Sequence, residues 1–115
     1  MANSAMCVAQ NPARWFQAVT FPAVGDVGAL VDLAVELEET GWDGVFLWDH
    51  LQVFPDRQLP WMDPWVLLGA IATATERVRL GTMVTPISRR RPWKLAKEAL
   101  TLDHLSGGRA ILGIG

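Results

Sequence analysis

An acid and an imidazole stand side by side at Asp49-His50, directly after the apolar run Val45-Phe46-Leu47-Trp48. Imidazole is the side chain suited to exchanging protons near neutral pH, and an adjacent carboxylate can orient or tune it. Where a buried parallel strand opens into a loop, such a pair faces the end at which α/β folds bind ligands. The plainer reading is a histidine that caps a strand and bonds the backbone.

Three other groups of residues invite chemistry. Arg89-Arg90-Arg91 is a cationic run. Guanidinium suits phosphate or an anionic substrate, with Arg89 and Arg90 as the candidates; the alternative is a solvated loop that counters the acidic first helix. Six tryptophans and no tyrosine are present, and Trp48, Trp61, Trp65 and Trp93 fall at or near expected loop ends. Flat indoles there suit either a ring-binding pocket, with Trp48 foremost, or simple core packing. Asp103 and Arg109 flank Gly107-Gly108, where a charge-assisted contact would tie a helix end to the following strand. His50, His104 and Cys7 share no metal-ligand spacing, so no metal is expected. No serine elbow and no paired-carboxylate device stands out.

The elements that must position these groups follow from pattern. Trp15 to Phe21 reads as a first strand, broken by Pro22 and Gly25. Asp26 is a candidate N-cap for a helix whose Leu30, Leu33, Ala34 and Leu37 share one face, and Gly41 stops it. The second strand is Val45 to Trp48. His50 to Met62 reads as a long loop with Pro55 and Pro60, and Asp56 there makes only a weak metal set with Asp49 and His50. Asp63-Pro64 is a capping carboxylate followed by proline at the first helical position. An apolar helix runs through Ala74. Val78 to Val84 is a third strand, Thr85 to Arg91 a loop, and Pro92 opens a third helix that ends at Ser106-Gly107-Gly108. Ala110 to Gly115 is a fourth strand.

Strand–helix alternation argues for a parallel sheet with right-handed crossovers. Either a small doubly wound sheet or the first part of an eight-fold barrel satisfies it. No GxGxxG or P-loop follows any strand, which weighs against a nucleotide-binding sheet. Half the residues are hydrophobic and only 19% charged, a balance that suits a sheet covered on both faces. A net charge of −2 gives no pull toward nucleic acid or an anionic membrane. One cysteine, no charged leader before an apolar core and no membrane-length apolar run make a cytoplasmic protein the simple expectation. Residues 1–13 read as a flexible tail and 14–115 as one domain.

Taken in order, the motifs resemble those of the bacterial luciferase-like family of flavin- and deazaflavin-dependent oxidoreductases. Trp42-Asp43-Gly44-Val45-Phe46-Leu47-Trp48-Asp49-His50 resembles its second strand. Asp63-Pro64-Trp65 with Ala72-Thr73-Ala74-Thr75-Glu76-Arg77-Val78-Arg79-Leu80-Gly81-Thr82 is similar to its second helix and third strand. Leu102-Asp103-His104-Leu105-Ser106-Gly107-Gly108-Arg109 and Leu112-Gly113-Ile114-Gly115 resemble its turn into the fourth strand.

The resemblance implies a partial TIM (β/α)8 barrel of four strands and three intervening helices. It implies FMN with oxygen (monooxygenation), or a deazaflavin with hydride transfer, acting on a small molecule. It gives His50 the proton-handling role and Asp49 a cofactor contact or an orienting one. It makes Trp48, Thr82, Met83 and Val84 cofactor contacts. Many relatives carry a non-prolyl cis peptide where this chain has Met83-Val84; an ordinary trans strand end is the other reading.

Such barrels need about 250 residues, and 115 supply roughly half of one. The expectation is therefore an inactive amino-terminal piece, or a half-barrel that self-associates or meets a complementing half. Each inward apolar side chain left wet forfeits about 1.5–3 kcal/mol, so marginal stability is expected in isolation. A non-catalytic assembly module is the rival reading.

Overall fold

The computed structural model describes residues 13–18, 26–51 and 61–115. The expected strand β1 is present as Trp15–Ala18; its continuation, with Pro22 and Gly25, lies outside the described residues, as do Cys7, Pro55, Asp56, Pro60 and most of the expected tail.

Helix α1 spans Val27–Glu39. Asp26 caps it, its Oδ1 accepting the Ala29 N–H at 2.7 Å. Leu30, Ala34 and Leu37 form its buried stripe. Gly41 then adopts φ +87°, a left-handed conformation that costs a side chain dearly, and the chain turns into β2 (Gly44–Leu47). Helix α2 spans Pro64–Ala74, with the Asp63 carboxylate accepting the Val66 N–H at 3.0 Å. Strand β3 is Arg79–Thr85, followed by a 3₁₀ turn at Ile87–Arg89. Helix α3 is Pro92–Leu105 and strand β4 is Ala110–Ile114.

The four strands are parallel and lie in sequence order, β1-β2-β3-β4. A doubly wound sheet would reverse direction around β1, so that alternative is excluded. All three helices pack on one face. Their Leu30, Ala34, Leu37, Leu68, Ile71, Leu95 and Leu102 join Val45, Leu47 and Leu80 of the strands in one core. The apolar composition led to an expectation of two covered faces. Instead the second face carries no helix among the described residues; there Phe46 packs edge-on against Trp15, which is 45% exposed. Leu112 and Ile114 of β4 are also exposed. Among the described residues no helix is long and apolar enough to cross a membrane.

Two charged side chains close the end of the sheet remote from the loops after the strands. Glu38, near the end of α1, accepts the backbone N–H groups of Glu76, Arg77 and Val78 at 3.0, 2.6 and 2.9 Å. Partial burial alone would raise its carboxyl pKa; these N–H groups and the Arg109 charge outweigh that and hold it below the usual range. Glu38→Ala orphans three donors at the entry to β3. It is expected to cost about 1.5–3 kcal/mol in urea unfolding; a midpoint unchanged from the parent would refute the capping role.

Arg109 corrects an expectation. Its guanidinium does not pair with Asp103. Its Nη atoms donate instead to the Ala72, Thr75 and Val78 carbonyls and to Thr75 Oγ1, at 2.8 to 3.0 Å, and its Nε donates to the Ser106 carbonyl at 2.6 Å. It thus satisfies the carbonyls that the end of α2 leaves open. Five donors in a planar fork make that possible, and a lysine could not match it.

Candidate functional site

Along β2 the side chains alternate between the two faces. Val45 and Leu47 enter the helix-side core. Asp49, two residues on, is likewise buried, at 3% exposure, whereas His50 is exposed. The two neighbours therefore part company at the rim. Among the described residues no hydrogen bond joins the Asp49 carboxylate to the His50 ring.

A buried carboxylate must be paired and hydrogen-bonded. Arg90 supplies a two-pronged clamp, Nε to Oδ2 at 2.7 Å and Nη2 to Oδ1 at 2.6 Å. Arg89 Nη2 donates to the Asp49 backbone carbonyl at 2.7 Å and to Oδ1 at 3.2 Å. The Thr85 hydroxyl donates to Oδ2 at 3.0 Å and lies 2.8 Å from the Thr82 hydroxyl, which reaches the Gly113 carbonyl at 3.2 Å. Burial by itself would push the Asp49 carboxyl up; the Arg90 and Thr85 hydrogen bonds, with the charges of Arg90 and Arg89, overcome it and hold the group below the ordinary carboxylate range.

Arg90 also faces Glu98 of α3 at 3.6 Å and Asp63 at 3.9 Å, and Lys94 faces Glu98 at 3.8 Å. The hydrogen bonding that Arg90 donates to the Asp49 carboxylate leads in raising the Arg90 pKa above its ordinary value. The two arginines considered for phosphate thus sit in a charge-balanced cluster, engaged with carboxylates.

On the other side of the rim His50 lies against two indoles. Its ring centroid is 5.4 Å from that of Trp48 and 6.5 Å from that of Trp61, both tilted. The end of β3 completes the surface. The Met83-Val84 peptide is cis, and the β3–β4 register shifts between Thr82 and Thr85. Thr82 is fully buried, Met83 half-buried and Val84 41% exposed. Gly113 and Gly115 keep the neighbouring strand bare: a Cβ on Gly113 would strike the Thr82 carbonyl, and one on Gly115 would lie 2.6 Å from Val84 Cγ2. An exposed valine beside Gly113 and Gly115, on the strand paired with the one that leads into Trp48 and His50, suits a flat ring.

Other tryptophans serve elsewhere. Trp65 is buried in the α2 core, and Trp93 is 66% exposed on α3. Sequence reasoning passed over Thr85, Glu98 and the second role of Asp63. Only the Lys94–Glu98 spacing of four on one helix carried a readable signal.

Comparison with known proteins agrees with this geometry. A family model described as luciferase-like monooxygenase matches residues 5–115. The F420-dependent glucose-6-phosphate dehydrogenase of Nakamurella multipartita is 45% identical over 89 residues, covering 75% of this chain and 26% of that protein. The chain therefore spans about a quarter of the length of the curated relatives it matches.

Among solved structures, an F420-dependent secondary alcohol dehydrogenase in complex with an F420-acetone adduct superposes with a TM-score of 0.79 at 22% identity, over 92% of this chain and 32% of that one. The oxygenating constituent of 3,6-diketocamphane monooxygenase from Pseudomonas putida, in complex with FMN, gives 0.76 at 22% identity, over 91% and 29%. The four-stranded wall is thus a partial TIM barrel, as the motif order implied.

Proposed function

This chain belongs to the luciferase-like monooxygenase family, and we propose that it forms the cofactor-facing wall of an F420-dependent oxidoreductase that moves hydride to or from a hydroxyl-bearing carbon. The observation that carries this reading is the exposed His50 ring, set beside Trp48 and Trp61 at the carboxyl rim of β2. The deazaflavin is preferred to FMN because relatives 42–45% identical across three-quarters of this chain are F420-dependent dehydrogenases, whereas the FMN-bound structure is 22% identical.

Trp48, Met83 and Val84 would hold the ring, with Thr82 supporting them from beneath the surface. A bound deazaflavin supplies a carbon centre that accepts or gives hydride. His50 takes the substrate's hydroxyl proton at Nε2, the ring nitrogen remote from its own backbone, and returns it in the reverse direction. Asp49 takes no part in that transfer; its charge is spent on Arg90. Asp49 therefore acts on the rim's geometry and not on the proton.

Titrating the chain with F420 and with FMN while following tryptophan emission tests the assignment. Saturable quenching is expected, at lower concentration for F420. Linear, non-saturating quenching by both ligands would overturn it.

A further inference from the structure

The β2–α2 connection leaves the sheet through Asp49-His50-Leu51 and returns through Trp61-Met62-Asp63. One side chain, from a third element, reaches both of its ends. Arg90 grips Asp49 with two bonds of 2.7 and 2.6 Å and faces the Asp63 carboxylate at 3.9 Å. Glu98 on α3, at 3.6 Å, holds the same guanidinium from behind. Arg89 adds a bond to the Asp49 main-chain carbonyl, immediately before His50.

We propose that Arg90 is a positioning residue that staples the two ends of the β2–α2 connection, so that the His50 ring is set against Trp61. His50 and Trp61 both lie outside any helix or strand, so no ladder or helical hydrogen bond fixes their rings, and side-chain contacts at the two ends must do so. Only a planar fork can serve Asp49, Asp63 and Glu98 from one position; a lysine ammonium is a single point charge. This assignment deepens the reading of His50 as the proton-handling group and rests on it. Its test needs no cofactor, so it stands or falls separately from the F420 titration.

The experiment is proton NMR of the full chain, unliganded. His50 and His104 are the two histidines, so His104→Gln assigns the ring signals. In the parent chain, nuclear Overhauser contacts are expected from the His50 ring to both Trp48 and Trp61.

In Arg90→Lys the His50–Trp61 contact is expected to vanish, while the His50–Trp48 contact, made within one strand end, persists. Asp63→Asn guards against a variant that fails to fold: asparagine still caps α2, but the charge facing Arg90 is gone. It is expected to weaken the same contact. Lys94→Ala, which removes only the outer pair with Glu98, is expected to leave it intact. A His50–Trp61 contact retained in both Arg90→Lys and Asp63→Asn, whatever their melting temperatures, would overturn the proposal; so would its loss in Lys94→Ala alone.

Discussion

In a full-length barrel that carries this wall, His50→Ala is expected to slow the proposed hydride transfer by about 10²–10⁴-fold, the usual contribution of a placed general acid or base. The affinity for F420 should change far less, because Trp48 and Val84, the proposed ring contacts, are unaltered. The effect belongs in the rate constant, read by single-turnover bleaching or appearance of the deazaflavin. His50→Gln keeps hydrogen-bonding capacity without a proton to exchange near neutrality, and should be nearly as slow. The physical ground is the exposure of the ring at the strand rim and the commitment of the neighbouring carboxylate to Arg90, on which the proposed proton-handling role of His50 rests. A His50→Ala protein that turned over at the parent rate would remove the basis of the proposed mechanism.

Asp49→Asn is expected to cost about 3–5 kcal/mol of stability, the usual penalty when one partner of a buried ion pair is removed. The Asp49 side chain is 2% exposed and that of Arg90 19%, so an amide at position 49 leaves the guanidinium facing a neutral, partly donating group. Urea unfolding monitored by tryptophan emission measures the loss. Replacing both partners, Asp49→Leu with Arg90→Met, should cost less than Asp49→Asn alone, because the Arg90 guanidinium is no longer left without its buried carboxylate.

The pH dependence has a definite sign. The Asp49 and Glu38 carboxyls are both held low in the folded chain. Their contribution is full above the ordinary carboxylate range and is lost as pH falls through the depressed folded values, so acid should unfold the chain at pH values below about 4. Asp49→Asn should flatten that acid limb. A stability change under about 1 kcal/mol, smaller than the penalty for an unpaired buried charge, together with an unaltered acid limb, would show the pair to be dispensable.

Local pattern carried most of the fold. Asp26 and Asp63 were readable as caps because an N-cap carboxylate satisfies N–H groups only three residues away. Gly41 was readable as a stop because a left-handed φ is a property of one residue. The β/α alternation and the ordered motifs of a known family were enough to predict a parallel sheet and half a barrel. The exposed His50 beside Trp48 was also within reach, since both lie on one strand end.

What tertiary structure alone decided concerns residues far apart in sequence. Asp49 looked like a partner for His50 because the two are adjacent, yet Asp49 is buried and held by Arg90, forty-one positions later, while His50 stays exposed. Arg109 looked paired with Asp103 across a glycine turn, yet it caps α2, because open helix-end carbonyls lay within reach of its fork. Apolar composition suggested two covered faces, but composition does not say where helices go; right-handed crossovers placed all three on one side. Periodicity and capping act over a few residues and so are written in the chain, whereas the partner of a buried charge is chosen by whichever groups the assembled strands and helices bring within hydrogen-bonding distance.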